Sequence, residues 1–197
     1  MWIKICGMTS TEAVDAAVAA GVDAIGFVFA SSVRRMTAQA AAPLAHHARG
    51  RVRCVAVMRH PTQAEVDEVV RVFYPDVLQT DSADFGTLRL PVGLEWLPVV
   101  RQAEPLPVAL PARVLFEGPA SGSGELCDWR AAYAVARRTE LVLAGGLNAG
   151  NVAAALAAVR PFGVDVSSGI EERPGVKSEA AIMKFVAAAR AASGGVP

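Results

Sequence analysis

The feature that most constrains this chain is an alternation. Short apolar runs, "WIKIC", "AIGFVF", "RCVAVM", "DVLQ", "LEWLPVV", "RVLFE", "ELVLAG" and "GVDVSS", recur along nearly its whole length. Between most of them lie alanine-rich stretches with helical period, at residues 11–20, 38–49, 63–73, 128–138, 149–159 and 179–192. Thr9-Ser10, Thr37, Thr62, Asn148 and Ser178 stand where helix N-caps belong. Runs that are apolar at almost every position suit strands buried on both faces, as in a parallel sheet. Eight such strands alternating with helices is the count that closes a (β/α)8 barrel, for which ~200 residues is the short end. A doubly wound open sheet is the alternative. The alternation blurs between residues 80 and 112. There "SADFGTL" leaves room for a stub of helix, and "RQAEPLPVALPA" holds too many prolines for a regular one. The expectation is a single α/β barrel domain over residues 1–197, with reduced helices after strands four and five.

Composition narrows the setting. The 197 residues carry 19 basic and 19 acidic side chains, and this balance gives no reason to expect a nucleic-acid or anionic-membrane partner. No apolar run reaches the ~18 residues of a membrane span, and the N-terminus lacks a signal-peptide pattern. Cys6, Cys54 and Cys127 are far apart and odd in number, as reduced thiols of a cytoplasmic protein would be. The histidines offer no metal-ligand spacing: His46-His47 lie in a polar helix end and His60 precedes a proline.

In a closed barrel, chemistry sits where strands end and βα loops begin. Strand one has Trp2, Lys4 and Cys6 on one face and Ile3 and Ile5 on the other. The isoleucines suit the helix-facing side, so Lys4 and Cys6 point inward, with Cys6 at the mouth. Asp165 alternates with Val164 and Val166 and also faces inward. Strands one and eight adjoin in a closed barrel, which places Asp165 to pair with Lys4 beneath the site. Glu117 ends an apolar strand, a costly position for a carboxylate without a partner or a task. Arg34 and Arg35 follow strand two and offer guanidinium forks for a carboxylate.

The last two strands carry an anion signal. "AGGLNAGN" puts Gly145-Gly146 before a helix start, and "SSG", with Ser168 and Gly169, follows strand eight. Glycine turns let backbone N–H groups approach an anion, and phosphate sites recur at this place in such barrels. Gly122 and Gly124 in "ASGSGELCDW" suit a loop over the mouth.

Together, "KICGMT", "GFVFASSVRRM", "GSGELCDW", "LAGGLNAGNV" and "VDVSSGIEERPGVKS" resemble the phosphoribosylanthranilate isomerase family, in order from Lys4 to Lys177. The resemblance implies an Amadori rearrangement of N-(5-phosphoribosyl)anthranilate in tryptophan biosynthesis, with no metal or organic cofactor. Cys6 then matches the general base that takes the C2 proton. Glu117 stands where the family has an aspartate acid that protonates the ring oxygen. Arg34 matches the anthranilate-carboxylate contact if the preceding loop is one residue short, and Arg35 takes that place otherwise. Gly145, Gly146, Ser168 and Gly169 match the phosphate turns, and Gln79 and Asp165 fall on the substrate side. Lys4, inward on the same strand, favours the Cys6 thiolate if its charge is close. Two positions depart from the pattern: Glu117 replaces aspartate, and Asp81 in "LQTDS" replaces the histidine of the family's "LQLHG". The expected partner is a small phosphosugar-anthranilate, with a monomer expected and a dimer as the alternative. Competing readings are another phosphosugar barrel enzyme, such as an epimerase or a Schiff-base aldolase, and a non-catalytic phosphate-ligand binding protein.

Overall fold

All eight apolar runs are strands in the computed structural model, which describes residues 1–102, 109–118 and 125–194. They are β1 Trp2–Cys6, β2 Ala24–Val28, β3 Arg53–Val57, β4 Val77–Asp81, β5 Glu95–Arg101, β6 Arg113–Glu117, β7 Glu140–Leu143 and β8 Gly163–Val166. Each pairs in parallel with the next, and β8 returns to β1 through Trp2↔Gly163, Ile3↔Val164, Lys4↔Asp165 and Ile5↔Val166. The ring is closed, so the doubly wound open sheet is excluded.

Among the described residues, six α-helices follow strands one, two, three, six, seven and eight: α1 Thr11–Ala19, α2 Ala38–His46, α3 Gln63–Phe73, α4 Trp129–Ala136, α5 Val152–Val159 and α6 Glu179–Ala192. Ser10, Thr37, Thr62 and Ser178 cap as expected, each side chain accepting from a backbone N–H of the first turn. Asp128 caps α4 in the same way. Asn148 does not cap α5. Its side chain accepts from Gly150 N–H in a local turn that delays the helix to Val152. After β4 there is only a single 3-10 turn, Ser82–Gly86, and no α-helix is described between β5 and β6. A short hairpin, β9 Glu171–Arg173 with β10 Val176–Lys177, stands between β8 and α6.

Period-two alternation divides the apolar residues into two layers. Ile3, Ile5, Ile25, Phe27, Leu78 and Phe116 face the helices. Ala24, Val55, Val77, Leu97, Val99, Leu115 and Val142 fill the barrel interior, with Trp2 packed against them. Lys4 shares this interior, and none of its surface reaches solvent. Its Nζ donates to Asp165 Oδ1 at 2.8 Å across the β1/β8 seam. Burial alone would lower the Lys4 pKa, but the charges and hydrogen bonds of Asp165 and Cys6 raise it, so the ammonium stays charged. Gly26 on β2 leaves the necessary room: a Cβ there would lie 3.2 Å from both Lys4 Nζ and Cys6 Sγ.

Removing one member of a buried ion pair strands the other charge, which costs about 3–5 kcal/mol. Asp165→Leu should therefore lower the urea midpoint sharply. Lys4→Met combined with Asp165→Leu should recover most of that loss, because the double variant replaces both charges with apolar groups.

Candidate active site

A cavity opens at the carboxyl ends of the strands. Cys6, Arg34, Gln79, Glu117, Gly145, Gly146, Asp165 and Ser168 all line it. The structure thus gathers, from six strand ends, residues that the sequence scatters over more than 160 positions. Arg35, one residue from Arg34, is exposed and outside the cavity. Gly122 and Gly124 lie outside the described residues.

Cys6 ends β1 with 8 % of its surface exposed. Burial pushes its thiol up, and the positive charges of Lys4 and Lys177 only partly offset this while Asp165 adds to it. Lys4 favours the thiolate as expected, and burial outweighs it, leaving the thiol above its ordinary pKa.

Arg34 is committed to a carboxylate of this chain. Its Nε and Nη2 donate to Glu171 Oε1 and Oε2 at 2.6 and 2.8 Å. Lys177 Nζ donates to the same Glu171 at 2.8 Å and to the carbonyl of Ser167 at 2.9 Å. Burial alone would raise the Glu171 carboxyl, but these hydrogen bonds, with Gly175 N–H, bring it down to about 2. The β9–β10 hairpin is thereby clasped onto the loop after β2, and the guanidinium is fixed at the rim of the cavity. Glu171 was missed in the sequence because "GIEERPG" reads as a solvated turn, with nothing local to show that it folds back onto the loop after β2.

On the other side, β5 runs one residue further than its apolar core and ends at Arg101, which also lines the cavity. Arg101 Nη1 donates to Glu117 Oε1 at 2.5 Å. Its Nε and Nη2 lie 2.8 and 2.6 Å from Asp81 Oδ1. Sequence reasoning stopped this strand at Val100, and an arginine after "PVV" carries no local signal of inward orientation. Gln79 is 6 % exposed, and its Oε1 is buried with no hydrogen-bond partner among the described residues.

The turns after β7 and β8 touch. Gly145 and Gly146 have φ of +93° and +64°, conformations that side chains with a Cβ rarely adopt. A Cβ on Gly169 would fall 2.0 Å from the carbonyl oxygen of Leu147, so only glycine allows the two turns to approach this closely. Asn151 braces the first turn, donating to Gly146 O at 2.9 Å and accepting from Asn148 N–H at 2.8 Å.

Among the described residues, one group has the donor atoms for a cation, His60 with Asp81 and Asp84. It is ill suited to hold one. His60 Nδ1 is 3.0 Å from Asp84 Oδ1, and the Asp81 carboxylate already faces the guanidinium groups of Arg101 and Arg59.

A closed barrel with a buried thiol, a carboxylate and two glycine turns around one mouth defines a (β/α)8-barrel enzyme equipped for acid–base chemistry on a small anionic substrate. The model of the N-(5'phosphoribosyl)anthranilate (PRA) isomerase family matches residues 3–188, and the chain belongs to that family. It is 37 % identical over 209 residues to the N-(5'-phosphoribosyl)anthranilate isomerase of Azorhizobium caulinodans, spanning 96 % of this chain and 92 % of the relative. The phosphoribosyl anthranilate isomerase structure from Thermus thermophilus superposes with a TM-score of 0.84 at 28 % identity, covering 97 % of this chain and 99 % of that one. Another family structure is a complex with reduced 1-(o-carboxyphenylamino)-1-deoxyribulose 5-phosphate. It superposes with a TM-score of 0.77 at 26 % identity, covering 97 % of this chain and 99 % of that one.

The Glu171 clasp makes stability depend on pH. A carboxyl at about 2 when folded, against its ordinary 4.5, contributes stability that is fully present above 4.5 and lost as pH falls to about 2. The Tm difference between the wild type and Glu171→Gln should hold steady above that window and shrink on acidification through it.

Proposed function

We propose that this chain isomerises N-(5-phosphoribosyl)anthranilate to 1-(2-carboxyphenylamino)-1-deoxyribulose 5-phosphate in tryptophan biosynthesis, with Cys6 as base and Glu117 as acid. The observation that carries this reading is the meeting of those two groups in one cavity, three strands apart round the ring, with anion-binding elements at its rim. The reaction needs one group that protonates the ring oxygen of the aminoaldose and one that takes the proton from C2 of the opened chain. A thiolate facing a carboxylic acid supplies both.

The substrate carries two anionic groups, a phosphate and a carboxylate. Its phosphate fits the turns of Gly145-Gly146 and Ser168-Gly169, where backbone N–H groups replace water without a counter-charge. Its carboxylate fits Arg34, which Glu171 holds in place. The buried Gln79 Oε1 is an acceptor in want of a donor, and a substrate N–H or hydroxyl supplies one. Asp165 reaches the cavity as the base of the Lys4 pair, and its carboxylate supports the site from below. One chain provides every group, so a monomer suffices.

Electrostatics set the reacting form. Burial favours the Cys6 thiol, and Arg101 favours the Glu117 carboxylate. The competent pair is thiolate with carboxylic acid, so both influences oppose it. Lys4 and Lys177 raise its population by lowering the Cys6 pKa.

Loss of substrate fluorescence, followed with purified protein and excess metal chelator, tests the assignment. Glu117→Gln keeps the shape and hydrogen bonding of the acid but has no proton to give. Its turnover should fall by ~10²–10⁴ while a product analogue still binds, the usual size of an acid–base contribution. Wild-type turnover in that variant would move the acid elsewhere.

A further inference from the structure

The departures at Glu117 and Asp81 are physically joined, and the residue that joins them is Arg101. We propose that Arg101 is a positioning residue that orients Glu117 and sets its charge, and that Asp81 is the counter-charge limiting its pull. This inference rests on Glu117 being the general acid. β4, β5 and β6 are neighbours in the ring, and Arg101 is the direct cross-strand partner of Glu117. Asp81 pairs in register with Val99, two residues before Arg101 and therefore on the same face. The guanidinium, in a residue only 7 % exposed, thus lies between two carboxylates at consecutive strand ends.

Geometry divides the labour. Nε and Nη2 both hold Asp81 Oδ1, which fixes the plane of the guanidinium. Nη1 is then aimed at Glu117 Oε1. A glutamate is one methylene longer than the family's aspartate, and its extra torsion must be fixed before it can serve as an aimed acid. The hydrogen bond to Arg101 fixes it. The family's histidine at position 81 could not anchor the fork as a carboxylate does, because an imidazole beside a guanidinium offers at best one neutral acceptor. Asp81 and Glu117 therefore belong to one linked change.

The charge logic gives opposite signs for the two partners. Other groups act on this carboxylate from neighbouring elements. Glu125 lines the same cavity, Cys127 couples to Glu117 from the chain entering α4, and Arg59 and His60 lie behind Asp81. Removing the Arg101 cation must raise the pKa of Glu117. Removing the Asp81 anion must lower it, since a like charge is gone and one carboxylate no longer opposes Arg101.

The test is the carboxyl titration of Glu117 by carbon-13 NMR in glutamate-labelled protein, assigned by the signal lost in Glu117→Gln. Arg101→Met should raise that pKa by ~1–3 units, Arg101→Lys should return it toward wild type, and Asp81→Asn should lower it. A purely structural role would move the first and last variants in the same direction, and that result overturns the proposal, as does a titration that stays put in Arg101→Met. If Arg101→Met does not fold, Asp81→Asn decides: a downward shift supports the proposal and an unmoved or raised value overturns it. If Glu117→Gln turns over like wild type, Arg101 has no part in the reaction even where the titration shifts as expected.

Discussion

The ion pair between Lys4 and Asp165 is the constraint on which the rest depends. An ammonium buried without solvent contact needs a counter-charge within reach, and a barrel filled with alanine, valine and leucine offers few. The counter-charge stands on β8, at the position in register with Lys4. The pair can form only when the last strand returns to the first, so it favours the closed ring over any open sheet. It also places a positive charge one layer below the cavity, under Cys6. Gly26 keeps that space free for Lys4 Nζ and Cys6 Sγ together.

Above this layer the mouth is built from two clasps of opposite design. On the β1, β2 and β8 side two cations, Arg34 and Lys177, share one carboxylate, Glu171. On the β4, β5 and β6 side two carboxylates, Asp81 and Glu117, share one cation, Arg101. The first side has positive charge to spare and suits a substrate carboxylate. In the second a carboxylate shares its cation with a like charge, which suits a group that must take up and release a proton. Between them, the turns after β7 and β8 present backbone, which adds no charge that would disturb either clasp.

The fold was legible because its signals are local. Periods of two and 3.6, helix caps and strand count needed no tertiary knowledge, and every strand and helix they indicated is present. Where a local signal misled, as with Asn148, a side chain chose a nearer backbone partner than the helix. The site was partly legible for a similar reason: Cys6, Glu117 and the glycine turns are marked by position at strand ends. Arg101 and Glu171 were not marked, because their importance comes from partners 16 or more residues away: Arg101 from Asp81 and Glu117, Glu171 from Arg34. The pull of Lys4 toward the Cys6 thiolate was legible from their shared face, but the opposing and larger effect of burial was not, because alternation alone does not give depth.

The central claim is that Cys6, buried above Lys4, takes the C2 proton as its thiolate. The most direct measurement is the single-turnover rate of Cys6→Ser, paired with its unfolding midpoint and its affinity for a product analogue. A serine hydroxyl fills nearly the same space but is far too weak an acid to supply an anion near neutrality. The account predicts an unchanged midpoint, unchanged analogue binding and a rate reduced by at least ~10². A Cys6→Ser enzyme that folds, binds and turns over like wild type would contradict it.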